Sequence, residues 1–415
     1  MTFVDFIRKN ASWILAGGVL TFMSSFGQTF FISIFGGEIR DDFGLSHAEW
    51  GSIYAIGTGV SAIVMVWAGV VTDILRTRVL GAIVLIGLAV ACVAMASISH
   101  AFLLPFVIFA LRFFGQGMCS HLAVVAMSRW FVSNRGRALS LAGLGFSIGE
   151  AFLPMCFVFV MGFWHWQNLW LVAAGVCLLA IPVLLRLLRN ERTPQSLAAT
   201  DQSLGMEGRH WRRLDAIKHP LFWVMVPSIL GPSAFGTAFF FHQVHYADLK
   251  DWEHFAMVAF FPLFTGATVL MMLVAGWALD RFGTASLVPY FQVPLVLAFL
   301  CFAFATDLSL LALGLVLFSI TAGANATLPN AFWAEFYGTQ HLGAIKALAA
   351  AVMVLGSAIG PGVTGYFIDT GVGLETQFIW VSGYFVLCTL ALIVGVRRYA
   401  PLIARRSGSE SARSP

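Results

Sequence analysis

Twelve apolar runs, each long enough to cross a hydrocarbon layer of about 30 Å, recur along this chain and leave few folds open to it. They lie near 13–35, 49–71, 79–99, 101–128, 138–161, 167–186, 221–245, 254–279, 286–305, 308–332, 345–368 and 376–396. Inside lipid every backbone N–H and C=O must be paired within the protein, so such runs are helices or the strands of a closed barrel. Barrel strands would read as alternating segments of about 10 residues, and these are long uninterrupted blocks. Only 11% of the residues are charged, against about 25% in a soluble domain, and the mean hydropathy is +0.85. The prediction is an all-α integral membrane protein with twelve transmembrane helices, and the lipid bilayer is its first partner.

Several function classes drop out at once. The six cysteines sit inside apolar runs at irregular spacing, so neither a disulfide framework nor a metal site is expected. No phosphate loop is present, which argues against direct ATP drive, and no cofactor motif appears. Nothing indicates nucleic-acid binding or an obligate protein partner. The run from Trp13 to Phe35 is longer than the 7 to 15 residues or so of a signal-peptide core, so it reads as a retained first span.

The basic residues set the orientation. Of 24 lysines and arginines, 21 fall in segments on one side of the predicted spans, only Arg40 and Lys250 on the other, and Arg112 within a span. The positive-inside rule therefore places both termini in the cytoplasm, and the expected location is a cell inner (plasma) membrane, crossed many times. The expected organisation is a six-helix bundle over residues 1–189, a cytoplasmic linker over 190–220, a second six-helix bundle over 221–398 and a cytoplasmic tail over 399–415. Linker and tail are polar and charged, and both read as flexible.

The chain also resembles itself. A shift of 207 residues places Gly69 on Gly276, Asp73 on Asp280, Thr77 on Thr284, Gly136 on Gly343, Gly149 on Gly356, Ala151 on Ala358 and Pro154 on Pro361. A repeat of six spans is even, so the two copies are parallel, an architecture suited to alternating access around a substrate near the midplane.

With the repeat in view, the sequence resembles the major facilitator superfamily along essentially its whole length. The segment from Gly276 to Gly283, "GWALDRFG", is similar to that family's gating loop, where an Asp and an Arg hold neighbouring helix ends on the cytoplasmic side. The resemblance implies gating roles for Asp280 and Arg281. In the first copy it implies one for Asp73, with Arg76 or Arg78 as partner because Ile74 stands where the Arg is expected. Within the superfamily, Arg129–Glu150 and Gly356–Asp369 resemble monocarboxylate and oxalate/formate porters. The first-span signature of monocarboxylate porters is absent, and Gly27-Gln28-Thr29-Phe30 stands in its place.

Charge burial points to the site. Of the 44 charged side chains only Arg112 and Glu150 fall deep within spans. An Arg at a span centre costs about 2.5 to 3.5 kcal/mol, so it persists only with a partner, a cavity or a function. Counted along the helices, Arg112 lies about 17 Å from one face and Glu150 about 18 Å from the other, at about 1.5 Å per residue. Two readings stay open: a permanent ion pair that fixes helix packing, or a substrate site. In the second, Arg112 receives a carboxylate with its planar fork, Glu150 holds Arg112 when substrate is absent, and their competition couples the anion to a proton. Gln28, on a polar face with Ser24 and Ser25, Gln116, a turn from Arg112, and Asn325, paired with Thr321, are further substrate-binding candidates, although helix-to-helix hydrogen bonding serves each equally well. Tyr54 reads as an outer-half contact or an interfacial aromatic. His242 and His245, at i and i+3, suggest a pH-sensitive external gate or an ordinary interfacial pair. Glycines at 115, 117, 143, 145, 149, 356, 360 and 362 predict close helix approach.

The sequence thus predicts a secondary transporter of a small solute, a monocarboxylate-like anion first among candidates. Two other readings are a proton-driven exporter of amphiphilic compounds and a non-transporting sensor or membrane enzyme, for which the chain shows neither a soluble output domain nor clustered catalytic side chains.

Overall fold

The computed structural model describes residues 3–68, 71–131, 135–190, 204–338 and 341–403. Among them every predicted span is helical, and the one strand-like contact is a bridge between Met206 and Ile403. Among the described residues nine helices are long and apolar enough to cross a membrane, and a bent pair, Asp5–Gly27 with Thr29–Phe43, makes a tenth. The second span is the helix His47–Ala68, which runs up to the undescribed residues 69–70. The ninth is shorter than expected, since Thr284–Leu287 is separate from Val293–Phe304. Pro294 explains where the latter begins, because a proline in the first turn lacks an N–H the helix would leave unpaired there anyway.

Two of the spans are irregular, and both irregularities matter below. The first is broken at Gly27–Gln28, where Gln28 is extended (φ −88°, ψ 155°) and the two parts meet at 48°. The fourth runs as an α-helix over Leu104–Leu111, a π-helix over Arg112–Cys119 and an α-helix over Ser120–Trp130. Large apolar side chains such as Phe106, Leu179 and Val394 are about 70% exposed, a surface suited to acyl chains and not to water.

Two compact units emerge. One comprises Met1–Ala198, Thr237–Thr265 and Ser357–Val372, and the other Ala199–Gly236, Gly266–Gly356 and Gly373–Pro415. The division departs from the sequence halves because the ends of the seventh and eleventh spans pack closely on the second. In the first unit a Cβ on Gly51 would stand 2.8 Å from the Cα of Gly362, so glycine is what allows this approach.

The linker corrects an expectation. Its described part, residues 204–219, is not loose but docked on the second unit. Met206 N–H donates to Phe336 O (2.7 Å), Glu207 N–H to Leu402 O (2.8 Å) and Trp211 N–H to Tyr337 O (3.0 Å). Met206, Trp211 and Ala216 are buried, and His219 packs its ring on Trp211 and Tyr399. Three apolar anchors within a polar stretch suffice, and average composition conceals them. Burying a Trp contributes about 3 to 5 kcal/mol against truncation. Trp211→Ala should therefore accelerate tryptic cleavage after Arg209, Arg212 and Arg213 at least about tenfold. Unchanged cleavage would mean that the backbone bonds alone hold the strap.

Candidate functional site

The site is built where the two irregular spans cross. A Cβ on Gly115 would lie 2.6 Å from the Cα of Gly27, and one on Gly27 would overlap the Leu111 carbonyl, so the two backbones touch directly. The break at Gly27 strips nearby carbonyls of their intrahelical donors. Arg112 supplies one: its Nη1 donates to Gly27 O at 3.1 Å and reaches Thr29 Oγ1 at 3.4 Å. Thr29 Oγ1 is in turn hydrogen-bonded to the Tyr54 hydroxyl, and the guanidinium lies 5.4 Å from the centroid of the Tyr54 ring.

Arg112 is only 1% exposed, and its Nε has no hydrogen-bond partner. Among the described residues its contacts are all to neutral groups. A helix C-terminus offsets at most about 2 kcal/mol of a buried positive charge, and a cation over an aromatic face about as much when desolvated. Removing the ion from water costs several kcal/mol. The neighbours thus hold the guanidinium in place without neutralising it, which leaves a fixed positive potential beside the break.

Glu150 is not that neutralising partner. Its carboxylate accepts from Thr265 Oγ1 at 3.1 Å, and among the described residues no cation stands beside it. The expected Arg112–Glu150 ion pair is therefore not formed here. Counting along the helices gives height along the membrane normal and says nothing of direction. Arg112 turns toward the first and second spans, whereas Glu150 turns toward the eighth. Around them the fifth span lies close on the first: a Cβ on Gly149 would overlap Ser25 Oγ, itself buried without a partner, and Phe146 packs edge-on against Phe30 at 5.6 Å.

The remaining predicted residues separate. Gln28 is half-buried at the break itself and does not continue the helical face of Ser24 and Ser25, which the 3₁₀ turn ends. Gln116 is half-buried in the π-helix, four residues from Arg112. Asn325 belongs to the second unit, where its buried Oδ1 has no partner, while Thr321 instead ties helices together by donating to Phe291 O at 3.0 Å. The side chains of Asp73 and Asp280 lie outside the described residues, and Arg76, Arg78 and Arg281 are exposed. Thr29 and Thr265 were missed. Thr29 adjoins the glycine that breaks the span, a usable signal; Thr265 is found only by direction, which sequence does not carry.

A family model described as Major Facilitator Superfamily matches residues 17–304 and 260–415. No curated protein matches the chain. Among solved structures, a bacterial homologue of the human lysosomal transporter Spinster, in an inward-facing and occupied conformation, superposes with a TM-score of 0.73 at 14% identity, covering 95% of this chain and 98% of that one. The nucleoside transporter NupG gives a TM-score of 0.71 at 16% identity, covering 92% and 98%.

Proposed function

The chain belongs to the major facilitator superfamily and is a membrane transporter of a solute; from that premise we propose that it moves a small organic anion, a monocarboxylate first, by alternating access. The observation that carries this reading is the buried Arg112 guanidinium, held by a backbone carbonyl, a hydroxyl and an aromatic ring but by no carboxylate. An arriving oxyanion supplies the missing charge and accepts from the planar fork in a paired geometry. Gln28, Thr29 and Gln116 lie on the same two spans as this position and are assigned neutral donors, and Asn325, in the second unit, is kept as a separate substrate-binding candidate. The charge asymmetry of the loops supports cytoplasmic termini in a plasma membrane, and Asp73, Arg76, Arg78, Asp280 and Arg281 are assigned to cytoplasmic gating by family resemblance.

Glu150 is assigned the coupling proton. It has two charge states, one neutral hydrogen-bond donor and no cation to hold it in either state. Because it does not touch Arg112, coupling on this reading runs through the fifth span, which packs on the break at Ser25, and not through competition for one guanidinium.

Purified protein in liposomes, offered labelled carboxylates, nucleosides and amphiphilic cations with and without a pH gradient, tests the proposal. Carboxylate uptake alone supports it, and uptake confined to nucleosides or to cations refutes the anion site. In the same assay Glu150→Gln should keep counterflow within about twofold of the parent while losing accumulation against a gradient. Normal accumulation by that variant removes Glu150 from the coupling step.

A further inference from the structure

A second cluster of ionisable groups, remote from Arg112 in sequence, lies in the first unit where residues 36–51 meet 241–249 and 361–369. Asp369 accepts from the backbone N–H groups of His47 (3.2 Å) and Ala48 (2.8 Å), capping the start of the second span. Gly365 lies against the backbone of His47, and Gly51 against Pro361. His242 Nε2–H donates to Pro361 O at 2.9 Å, and Gln243 donates to Ser33 Oγ at 2.8 Å. These contacts make a latch on the side that the basic residues assign to the outside.

His47 sits at its centre in a particular chemical state. Its Nε2 lies 3.1 Å from Arg40 Nη1. A guanidinium only donates, so this nitrogen must be the acceptor and the imidazole must be neutral. Its ring centroid is 4.2 Å from that of His245 and 5.7 Å from that of His242. We propose that His47 is a proton-binding site that controls this latch, and that protonation of its Nε2 opens it.

The proton takes the lone pair that Arg40 uses, so one hydrogen bond is lost and two cations are left face to face. Every element packed here bears on the balance. The Gly36–Phe43 helix brings Arg40 and Glu38, the 243–249 helix brings His245 and Asp248, His242 precedes it, and the end of the eleventh span brings Asp369. Among the described residues Asp369 is the acid set against His47, and its oxygens already serve two backbone donors. The cleft lined by Arg40, His47, Trp50, Phe241, His242 and His245 has a volume of about 10 Å³, too small for a solute larger than water. Among the described residues no three side chains converge as metal ligands. The ligand that fits is the proton.

The sign follows from linkage. His47 binds a proton more weakly in the closed latch than after opening into water, where it titrates near its ordinary value of about 6.5. The closed state is therefore favoured above about 6.5. As pH falls below about 6.5, the ratio of closed to open falls by up to about tenfold per unit, because the closed latch keeps the Nε2 lone pair engaged with Arg40.

The test uses the full chain in lipid nanodiscs, with Cys156→Ser removing the exposed thiol and spin labels at the exposed positions Asp41 and Thr370. Distances between the labels at pH 7.5, 6.0 and 5.0 should shift toward a longer population on acidification. His47→Gln, whose amide oxygen can still accept from Arg40 but does not bind a proton at these pH values, should hold the short distance throughout. Asp369→Asn, which weakens the cap without touching the imidazole, should lengthen the distance at pH 7.5 already. A parent distribution that does not change with pH, or a pH response retained by His47→Gln, overturns the assignment. The readout is a distance and stands whatever solute is carried.

Discussion

Arg112→Ala is expected to lower carboxylate uptake at least about 30-fold while leaving a folded, inserted protein. The two effects separate because the guanidinium plays unequal parts in the two states. In the resting site, among the described residues, its polar and ring partners are Gly27 O, Thr29 Oγ1 and the Tyr54 ring. Losing those contacts leaves one backbone carbonyl short of a donor, at a cost of about 1 to 3 kcal/mol, but it also relieves the desolvation of a charge that no anion compensates. Stability should therefore change little. With substrate bound, the same group makes a charge-assisted pair within the protein, and deleting one partner of such a pair costs about 2 to 5 kcal/mol, or about 30-fold to several thousand-fold. Arg112→Lys restores the charge without the planar fork, so it should recover part of the loss. Radiolabelled uptake into liposomes measures both variants, with monodispersity on size-exclusion as the check on folding. Uptake by Arg112→Ala equal to the parent would falsify the anion site.

Arg112 also shows what the sequence discloses and what it withholds. Its depth was legible: a lone Arg near the middle of an apolar run identifies itself by the cost of putting it there. Its partner was not, because residue counting gives height along the membrane normal and leaves azimuth free. Glu150, which counting puts at a similar height, takes its hydrogen bond from Thr265, more than a hundred residues away in the chain. Gly27 was visible as a glycine in a span, yet nothing local states that Gln28 after it is extended, because the break depends on the fourth span lying against it. The π-helix of Arg112–Cys119 is equally silent in sequence, since its composition suits an α-helix too. Helix content and span positions were legible from hydropathy alone, the weak point being the ninth span, where Pro294 starts a 12-residue helix later than the apolar run begins. The docked linker was hidden because Met206, Trp211 and Ala216 are diluted by their polar neighbours.

Glycines make the same distinction and supply the second large effect. Gly115 and Gly143 look equivalent in sequence, both in spans and both expected to permit close approach, but their surroundings differ. A Cβ at Gly143 meets nothing within 4 Å, whereas one at Gly115 meets the Cα of Gly27 at 2.6 Å and its N at 2.7 Å, both backbone atoms that no rotamer change can move. An ordinary contact needs the two helices to part by about 0.8 Å, which stretches the 3.1 Å bond from Arg112 Nη1 to Gly27 O toward 3.9 Å, beyond hydrogen-bond range. Overpacking of this kind costs about 1 to 3 kcal/mol and occasionally more. Gly115→Ala should thus lower the thermal transition and cut transport by at least about tenfold, because it displaces the guanidinium from the break as well as straining the crossing. Gly143→Ala should leave transport unchanged and raise stability slightly, since alanine is favoured over glycine in a helix by about 0.8 to 1 kcal/mol. Thermal unfolding in detergent and uptake in liposomes, run on both variants, compare one chemical change at two sites. Equal behaviour would mean that the Gly27–Gly115 crossing is not what holds Arg112 in place.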